Sequence, residues 1–170
     1  MSDEGNRPAE ARAPVIRVTG GSKVYGGVHA IEKVDFDLYP GEVHALVGEN
    51  GAGKSTLSKA IAGTIQLTEG VYEVDGQPVA FDNPADALER GIAMVYQETS
   101  LVPSLTVAQN LYLADRKFFH RLRGIYIAGQ QFLQSLNFDV DPTALVSSLG
   151  AGQKQMVEIA RAVHHDANVI

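Results

Sequence analysis

Short apolar stretches separated by glycine, proline and asparagine recur along the first half of the chain. Residues 31–39 alternate apolar and polar side chains, which predicts a half-buried antiparallel strand. Residues 43–47 are almost continuously apolar, which predicts a strand buried on both faces. Further strands are predicted at 15–19, 71–75, 79–81 and 92–96, and a last strand is predicted to start at Val169.

After several turns, apolar residues recur at the three- and four-residue intervals of a helix. A helix is predicted at 55–62, and another at 84–90 with Asn83 as its cap and Pro84 in its first turn. Others are predicted from the Thr106 cap to Ala114, at 128–136 and at 152–164. The last helix has a predicted buried face of Met156, Ile159, Ala160 and Val163. Strands alternating with helices indicate an α/β fold, and residues 1–14, which are polar and aperiodic, are predicted to be a disordered tail.

Composition narrows the function classes. The chain has 170 residues, enough for a domain with a core, and its formal net charge of −6 argues against a nucleic-acid partner bound through bulk charge. It has no cysteine, which excludes disulfides, thiolate metal sites and a cysteine nucleophile. We find no signal-peptide core and no apolar run long enough to cross a membrane.

The segment GENGAGKST, residues 48–56, carries the strongest chemical signal. It fits the pattern G-x-x-x-x-G-K-[ST] between a predicted strand and a predicted helix. In such a loop backbone N–H groups surround nucleotide phosphates, Lys54 reaches the β- and γ-phosphates, and the Ser55 hydroxyl ligates Mg²⁺. The simpler interpretation is a glycine-rich turn joining a strand to a helix.

Three other features have weaker signals when taken singly. Gln97 follows a predicted strand and could ligate Mg²⁺ and orient water, although a plain loop residue is the commoner case. Gly150 and Gly152 lie at the start of the last helix, where unpaired N–H groups favour an anion, although this too is often a loop and cap. Tyr25 could stack on an adenine, or simply pack.

In this order and at these separations, the features resemble the ATP-binding subunits of ABC transporters over residues 15–170. Three segments are most similar in sequence to the monosaccharide importers, of the ribose, galactose or xylose type. They are VHALVGENGAGKSTL, MVYQETSLVPSLTVAQNLYLA and QKQMVEIARA. The resemblance implies a P-loop NTPase fold with an antiparallel β subdomain and a helical subdomain at about 98–150. It implies catalytic roles for Lys54 and Gln97 and Mg²⁺ ligation by Ser55 and Gln97. The implied nucleotide-binding residues are Tyr25, Gly48, Asn50, Gly51, Ala52, Gly53, Lys54, Ser55, Thr56, Gly150, Gly152 and Gln153.

The resemblance also implies ATP and Mg²⁺ as cofactors and a set of partners. Two nucleotide-binding domains, in one chain or in two, would close head to tail around two ATP molecules. Transmembrane permease subunits and a periplasmic or extracellular sugar-binding protein would complete the importer. The expected location is cytoplasmic, peripheral on the inner face of the cell membrane.

Two departures from the family pattern matter. The signature segment, residues 149–153, usually has serine where this chain has Gly150, so a hydroxyl that would bond the γ-phosphate is missing. The family also places an Asp, a Glu and a switch histidine beyond residue 170, and none of the five histidines here matches the last of these. The expectation is that this chain alone binds MgATP weakly and does not hydrolyse it.

Two alternatives follow from these observations. One is a truncated, non-hydrolysing nucleotide-binding fragment, and the other is a soluble ABC ATPase without a role in transport. Three residues are predicted to lie outside the chemistry: Glu49 is expected to face solvent beside the phosphate loop, and His164 and His165 to be solvated at a helix end. The segment 116–123 is expected to be a solvated helix face rather than a contact for permease or lipid.

Overall fold

A computed structural model of the protein describes residues 13–96, 100–113 and 122–170. The predictions for residues 1–12, Gln97, Ala114 and most of the segment 116–123 therefore lie outside the described residues. The described residues fall into two compact units, one up to Arg90 and one from Gly91 onwards. The extents of the disordered tail and of the helical subdomain stay predictions.

An antiparallel sheet forms most of the first unit. Its strands are β1 (Ile16–Tyr25), β2 (Val28–Leu38), β3 (Glu69–Val74) and β4 (Gln77–Pro78), in the order β2-β1-β3-β4. β1 is longer than predicted because its register shifts accommodate extra residues within the strand. The predicted turn at Gly76 is confirmed: Asp75 and Gly76 both have positive φ angles and join β3 to β4.

Two helices complete this unit. The helix α1 spans Lys54–Ile61, and α2 spans Pro84–Glu89. The predicted Asn83 cap is confirmed, since its side chain accepts hydrogen bonds from the N–H groups of Ala85 and Asp86. The buried apolar residues of the unit come from both the sheet and the helices: Ile16, Val18, Ile31, Leu57, Ala60, Ala62, Tyr72, Val74, Phe81 and Ala87.

The prediction of a buried strand at 43–47 is wrong. These residues form no strand in the structure, and Val43 is 99% exposed and Val47 91% exposed. An apolar run is buried only when neighbouring strands bond to it and other elements cover its faces, and no described strand pairs with 43–47. The apolar pattern therefore showed that the segment would be stable in a core, but it could not show whether other elements pair with it or cover it.

The second unit is mainly helical. Its helices are α3 (Val107–Leu111), α4 (Leu122–Ser135) and α5 (Ala151–His164), with a 3₁₀ turn at Val146–Ser148. Thr106 caps α3 as predicted, and its N–H donates in return to the side chain of Gln109. The predicted strands 92–96 and Val169 are reduced to a single parallel bridge between Ile92 and Val169. α3, α4 and α5 contribute to one apolar core.

The predicted buried face of α5 is only partly correct. Ala160 is fully buried, but Met156 is 39% exposed, while Val157 and Glu158 are buried in its place. The position of α3 decides which side of α5 is covered, and a helical pattern alone cannot supply that position.

The prediction that His164 is solvated is also wrong. Its ring is partly buried and lies edge-on to two aromatic rings, with centroid distances of 4.6 Å to Tyr112 and 5.5 Å to Phe132. These aromatic neighbours come from α3 and α4, which are distant in sequence. Among the helices in the described part of the chain, none is long and apolar enough to cross a membrane.

Candidate nucleotide-binding site

The loop at residues 48–53 leads directly into α1. Because α1 begins at Lys54, the backbone N–H groups of Lys54, Ser55 and Thr56 have no acceptor within the helix. Aligned peptide dipoles add partial positive charge at the same end of the helix. The side chain of Ser55 is exposed beside these N–H groups. This end of α1 is chemically suited to an anion such as a phosphate group.

Gly53 fits where no other residue would. Its φ of 84° lies in the left-handed region, and a Cβ added there would lie 2.4 Å from Ile31 Cγ2 and 2.6 Å from the carbonyl oxygen of Ala30. The turn into α1 therefore packs directly against the backbone of β2. This contact holds the loop and the start of the helix against the sheet.

The Lys54 side chain folds back over the loop. Its Nζ donates hydrogen bonds to the carbonyl oxygens of Gly48 at 2.6 Å and Glu49 at 2.7 Å. Glu49 itself is exposed, as predicted. An ammonium group is thus held at the loop, bonded to neutral acceptors that an anionic phosphate oxygen could replace with a stronger partner. Together with the unpaired N–H groups of α1, the ammonium makes the loop a fitting receptor for phosphate.

The described residues provide fewer ligands for magnesium than they provide contacts for phosphate. Mg²⁺ is usually held by one or two protein oxygens, by substrate phosphates and by water. The Ser55 hydroxyl is one suitable ligand, and Gln97 lies outside the described residues. No group of three or more His, Asp or Glu side chains capable of holding a metal occurs within residues 13–96, 100–113 and 122–170.

Tyr72 is a supporting residue that sequence reasoning missed. Its hydroxyl donates a hydrogen bond to the carbonyl oxygen of Ile61, 2.9 Å away, at the last turn of α1. Burial raises the pKa of this phenol, so it remains a neutral donor. Tyr72 thereby connects β3 to the far end of the phosphate-loop helix. The sequence predicted a strand at 71–75, but neither the burial of Tyr72 nor its partner on α1 was predicted.

Tyr25 lies at the end of β1, in the same unit as the loop. Tyr25 is 49% exposed, and the Nζ of Lys23 lies 5.2 Å from its ring centroid. Tyr25 pairs with Val28, only three residues before the Ile31 that Gly53 approaches. At about 3.3 Å of rise per strand residue, this places the two features roughly 10 Å apart along β2. An exposed aromatic ring at this separation suits a planar base next to a phosphate site.

The signature segment lies at the start of α5, in the second unit. Gly150 precedes the helix, and its N–H donates to the Oε1 of Gln153 at 3.2 Å. Residues 150–153 are all exposed. The N–H groups of Ala151, Gly152 and Gln153 have no acceptor within the helix, so this end is a second possible anion contact.

The second residue that sequence reasoning missed is Glu158, on the same helix. Its side chain is 3% exposed and accepts hydrogen bonds from both the N–H and the hydroxyl of Ser100. A buried carboxylate is unusual unless it is paired. The predicted buried face of this helix did not include Glu158, and no local pattern in the sequence identified Ser100 as its partner.

Comparison with known proteins agrees with this geometry. The model of the family described as ABC transporter matches residues 31–170. A ribose import ATP-binding protein of Rubrobacter xylanophilus is 45% identical over 99% of this chain and 33% of its own length. A putative ribose/galactose/methyl galactoside import ATP-binding protein of Burkholderia ambifaria is 47% identical over 92% of this chain and 31% of its own. An arabinose import ATP-binding protein of Pectobacterium atrosepticum is 43% identical over 94% and 32%.

Solved structures show the same fold. The crystal structure of a nucleotide-free ATP-binding cassette from an ABC transporter matches with a TM-score of 0.77 and 23% identity, over 91% of this chain and 66% of that one. An ADP-bound cassette of an ABC transporter matches with a TM-score of 0.76 at 23% identity. The chain spans about a third of the length of the curated relatives it matches. On the family match and these identities, the chain belongs to the ABC transporter family, with the P-loop fold of its nucleotide-binding domains.

Proposed function

We propose that this chain is an ATP-binding component of an ABC importer that takes up a monosaccharide. The observation that carries the proposal is the geometry at the start of α1. Gly53 holds the loop against β2, the Lys54 ammonium is bonded to the loop carbonyls of Gly48 and Glu49, and α1 begins with three N–H groups that lack helical acceptors. This arrangement suits the phosphates of a nucleotide.

The relatives support the substrate class. Their names refer to import of ribose, of galactose or methyl galactoside, and of arabinose. All of these are monosaccharides or a simple glycoside, and the identities of 43–47% extend over nearly the whole chain. The proposed importer would therefore carry a sugar of this size, with selection made by its permease and its sugar-binding protein.

The proposed binding mode assigns roles to residues of both units. On binding, Lys54 Nζ would exchange the carbonyls of Gly48 and Glu49 for phosphate oxygens, while the N–H groups of residues 51–56 hold the same phosphates. Asn50 and Ala52 shape the loop, and Tyr25 stacks on the adenine. Gly150, Gly152 and Gln153 contact the nucleotide held by a second domain. Bound Mg²⁺ would neutralise charge on the phosphates, with Ser55 and Gln97 as its protein ligands.

The proposed partners are those of the importer. A second nucleotide-binding domain would pair head to tail with this one, and permease subunits would hold the pair on the inner face of the cell membrane. A sugar-binding protein outside the membrane would deliver the substrate. In this assembly ATP hydrolysis drives uptake, with positioning and electrostatic stabilisation as the main contributions of the protein.

Nucleotide binding is tested by removing the ammonium group of Lys54. Binding of a fluorescent ATP analogue to the chain is measured by titration, for the parent and for Lys54→Ala. We expect affinity to fall by about tenfold or more, because a charge-assisted contact to phosphate is lost. Lys59→Ala is the matched control, since Lys59 is an exposed lysine in the last turn of the same helix. Equal affinity of the parent and Lys54→Ala would contradict the proposal.

Transport is tested in the native cell. Deletion of the gene should reduce uptake of labelled ribose, galactose or arabinose, and the protein should sediment with membranes. Unchanged uptake of all three sugars, with sedimentation on ribosomes, would instead favour an ABC ATPase without a role in transport.

A further inference from the structure

The last residues of β1, 22–25, are held by side-chain hydrogen bonds in addition to strand pairing. Ser22 is 2% exposed, and its hydroxyl oxygen accepts a hydrogen bond from Lys33 N at 3.0 Å. Thr68, just before β3, donates its N–H to the Ser22 carbonyl at 2.8 Å, and its hydroxyl oxygen accepts from Val24 N at 3.1 Å. These bonds lie where the register of β1 shifts, so they replace ladder bonds that the shifts interrupt. The backbone around Lys23 is therefore fixed on both sides.

Lys23 lies on the face of the sheet that the phosphate loop contacts. It pairs with Ile31 of β2, and directly paired residues of antiparallel strands point to the same face. Ile31 is buried, and its Cγ2 is the closest atom to a Cβ added at Gly53, the residue before α1. Lys23 and the start of α1 therefore lie on one side of the sheet.

The ammonium of Lys23 contacts the ring of Tyr25. Its Nζ lies 5.2 Å from the ring centroid, within the range in which the negative face of an aromatic ring attracts a cation. Among residues 13–96, 100–113 and 122–170, no carboxylate forms a salt bridge with Lys23. An exposed cation–π contact is weak when both groups are mobile, but here the fixed backbone lowers the entropy cost of keeping the two side chains together.

The ring of Tyr25 keeps one face for another partner. Tyr25 is 49% exposed although the Lys23 ammonium covers part of its ring. The two residues that follow are Gly26 and Gly27, and nothing lies within 4 Å of a Cβ added to either. The turn beside the ring is thus open. A planar base can approach the uncovered face without displacing the lysine.

We infer that Lys23 is a positioning residue that covers one face of the Tyr25 ring and keeps the other face directed at the base of a nucleotide held by the loop at 48–56. This inference rests on the proposed function. Lys23 acts through Tyr25 and touches neither the base nor the phosphates. Loss of its charge therefore weakens binding of a nucleotide, but not binding of a phosphate chain that has no base.

The test compares two ligands on Lys23→Gln. Isothermal titration calorimetry measures the affinity for ATP and for inorganic tripolyphosphate, both with Mg²⁺. We expect the affinity for ATP to fall about threefold, because the cation–π contact is lost, and the affinity for tripolyphosphate to match that of the control. Lys33→Gln is the control, since it removes the same charge from an exposed lysine on β2. Lys23→Arg keeps a cation over the ring and should restore the affinity for ATP.

A double-mutant cycle separates action through the ring from direct action on the phosphates. Tyr25→Ala alone should lower the affinity for ATP about tenfold, because base stacking is lost, and leave that for tripolyphosphate unchanged. Adding Lys23→Gln to Tyr25→Ala should lower the affinity for ATP no further, since the ring that the lysine positions is absent. A charge acting on the phosphates themselves would lower both affinities in both backgrounds.

Three outcomes would overturn the inference. They are a parent-like affinity for ATP in Lys23→Gln, an equal loss for ATP and tripolyphosphate, and a loss for ATP that persists when Tyr25 is alanine. If the parent chain binds neither ligand, the proposed function fails on its own evidence. Nuclear Overhauser effects between the Tyr25 ring protons and the Lys23 Cε protons, measured without ligand, then decide whether the lysine holds the ring. Their absence would overturn that contact.

Discussion

The helices α1 and α5 both begin after a glycine, yet the two glycines are present for different reasons. At Gly53 the φ is 84°, and an added Cβ would lie 2.6 Å from the carbonyl oxygen of Ala30. At Gly150 the φ is −67°, and an added Cβ would meet only Gln153 Oε1, at 4.0 Å. The backbone requires glycine at the first helix start and merely tolerates it at the second. The two ends therefore differ in how far evolution or mutagenesis could alter them without altering the fold.

The largest expected effect is that of Gly53→Ala. A left-handed φ disfavours alanine by roughly 1–2 kcal/mol, and the clash with β2 adds roughly 1–3 kcal/mol to the loss of stability. Gly27→Ala is the matched control, because Gly27 has a φ of 85° with nothing within 4 Å of an added Cβ. Urea unfolding of both variants measures the difference. Equal losses would mean that the contact with β2 is unimportant and that conformational strain alone explains the glycine.

Gly150→Ser should act on assembly rather than on folding. The site has room for the side chain, and a serine cap changes stability by only a few tenths of a kcal/mol, roughly. In the proposed head-to-tail pair, the new hydroxyl would bond a phosphate, which is worth roughly 1.5–3 kcal/mol. Sedimentation with and without ATP measures the pairing. Gly150→Ala adds the Cβ without the hydroxyl, so tighter pairing in that variant as well would exclude the hydrogen bond as the cause.

A smaller effect is expected where Tyr72 attaches the end of α1. Tyr72→Phe removes the bond to the Ile61 carbonyl and should lower the free energy of unfolding by about 1 kcal/mol, because the ring still fills its site. Faster amide exchange in the last turn of α1 should accompany the loss. Tyr25→Phe, at a half-exposed ring, should leave the free energy of unfolding unchanged. A similar loss in both variants would argue against the contact.

The smallest expected difference between the two units is in how salt changes the stability that each loses at low pH. The bonds from Arg17 hold the pKa of Asp37 below its ordinary value in the first unit, and the Thr143 hydroxyl and N–H do the same for Asp141 in the second. Each lowered pKa contributes stability that is fully present above the unfolded-state pKa and lost as the pH falls through the folded-state pKa. Salt should weaken the contribution of Asp37, which pairs with a cation, more than that of Asp141. Acid titrations of Asp37→Asn and Asp141→Asn at two salt concentrations measure this; equal salt sensitivity would contradict it.

Local signals were reliable where a few adjacent residues decide the structure. The Asn83 and Thr106 caps and the Gly76 turn are confirmed because each depends on bonds within three or four residues. Predictions that depended on distant neighbours were less accurate. Residues 43–47 are exposed, Met156 is largely outside the core, and His164 packs against aromatic rings. In each case another part of the chain decides burial.

The sequence by itself determined the family and the location of the phosphate loop, because the spacing of Gly48, Gly53, Lys54 and Ser55 is a local property of the chain. It also determined that α5 would begin near Gly150. Only the tertiary structure decided why Gly53 must be glycine, where the end of α1 is attached, and which residue Glu158 binds. The physical reason is that steric contact and buried hydrogen bonds join residues far apart in sequence, and no local pattern specifies the partner.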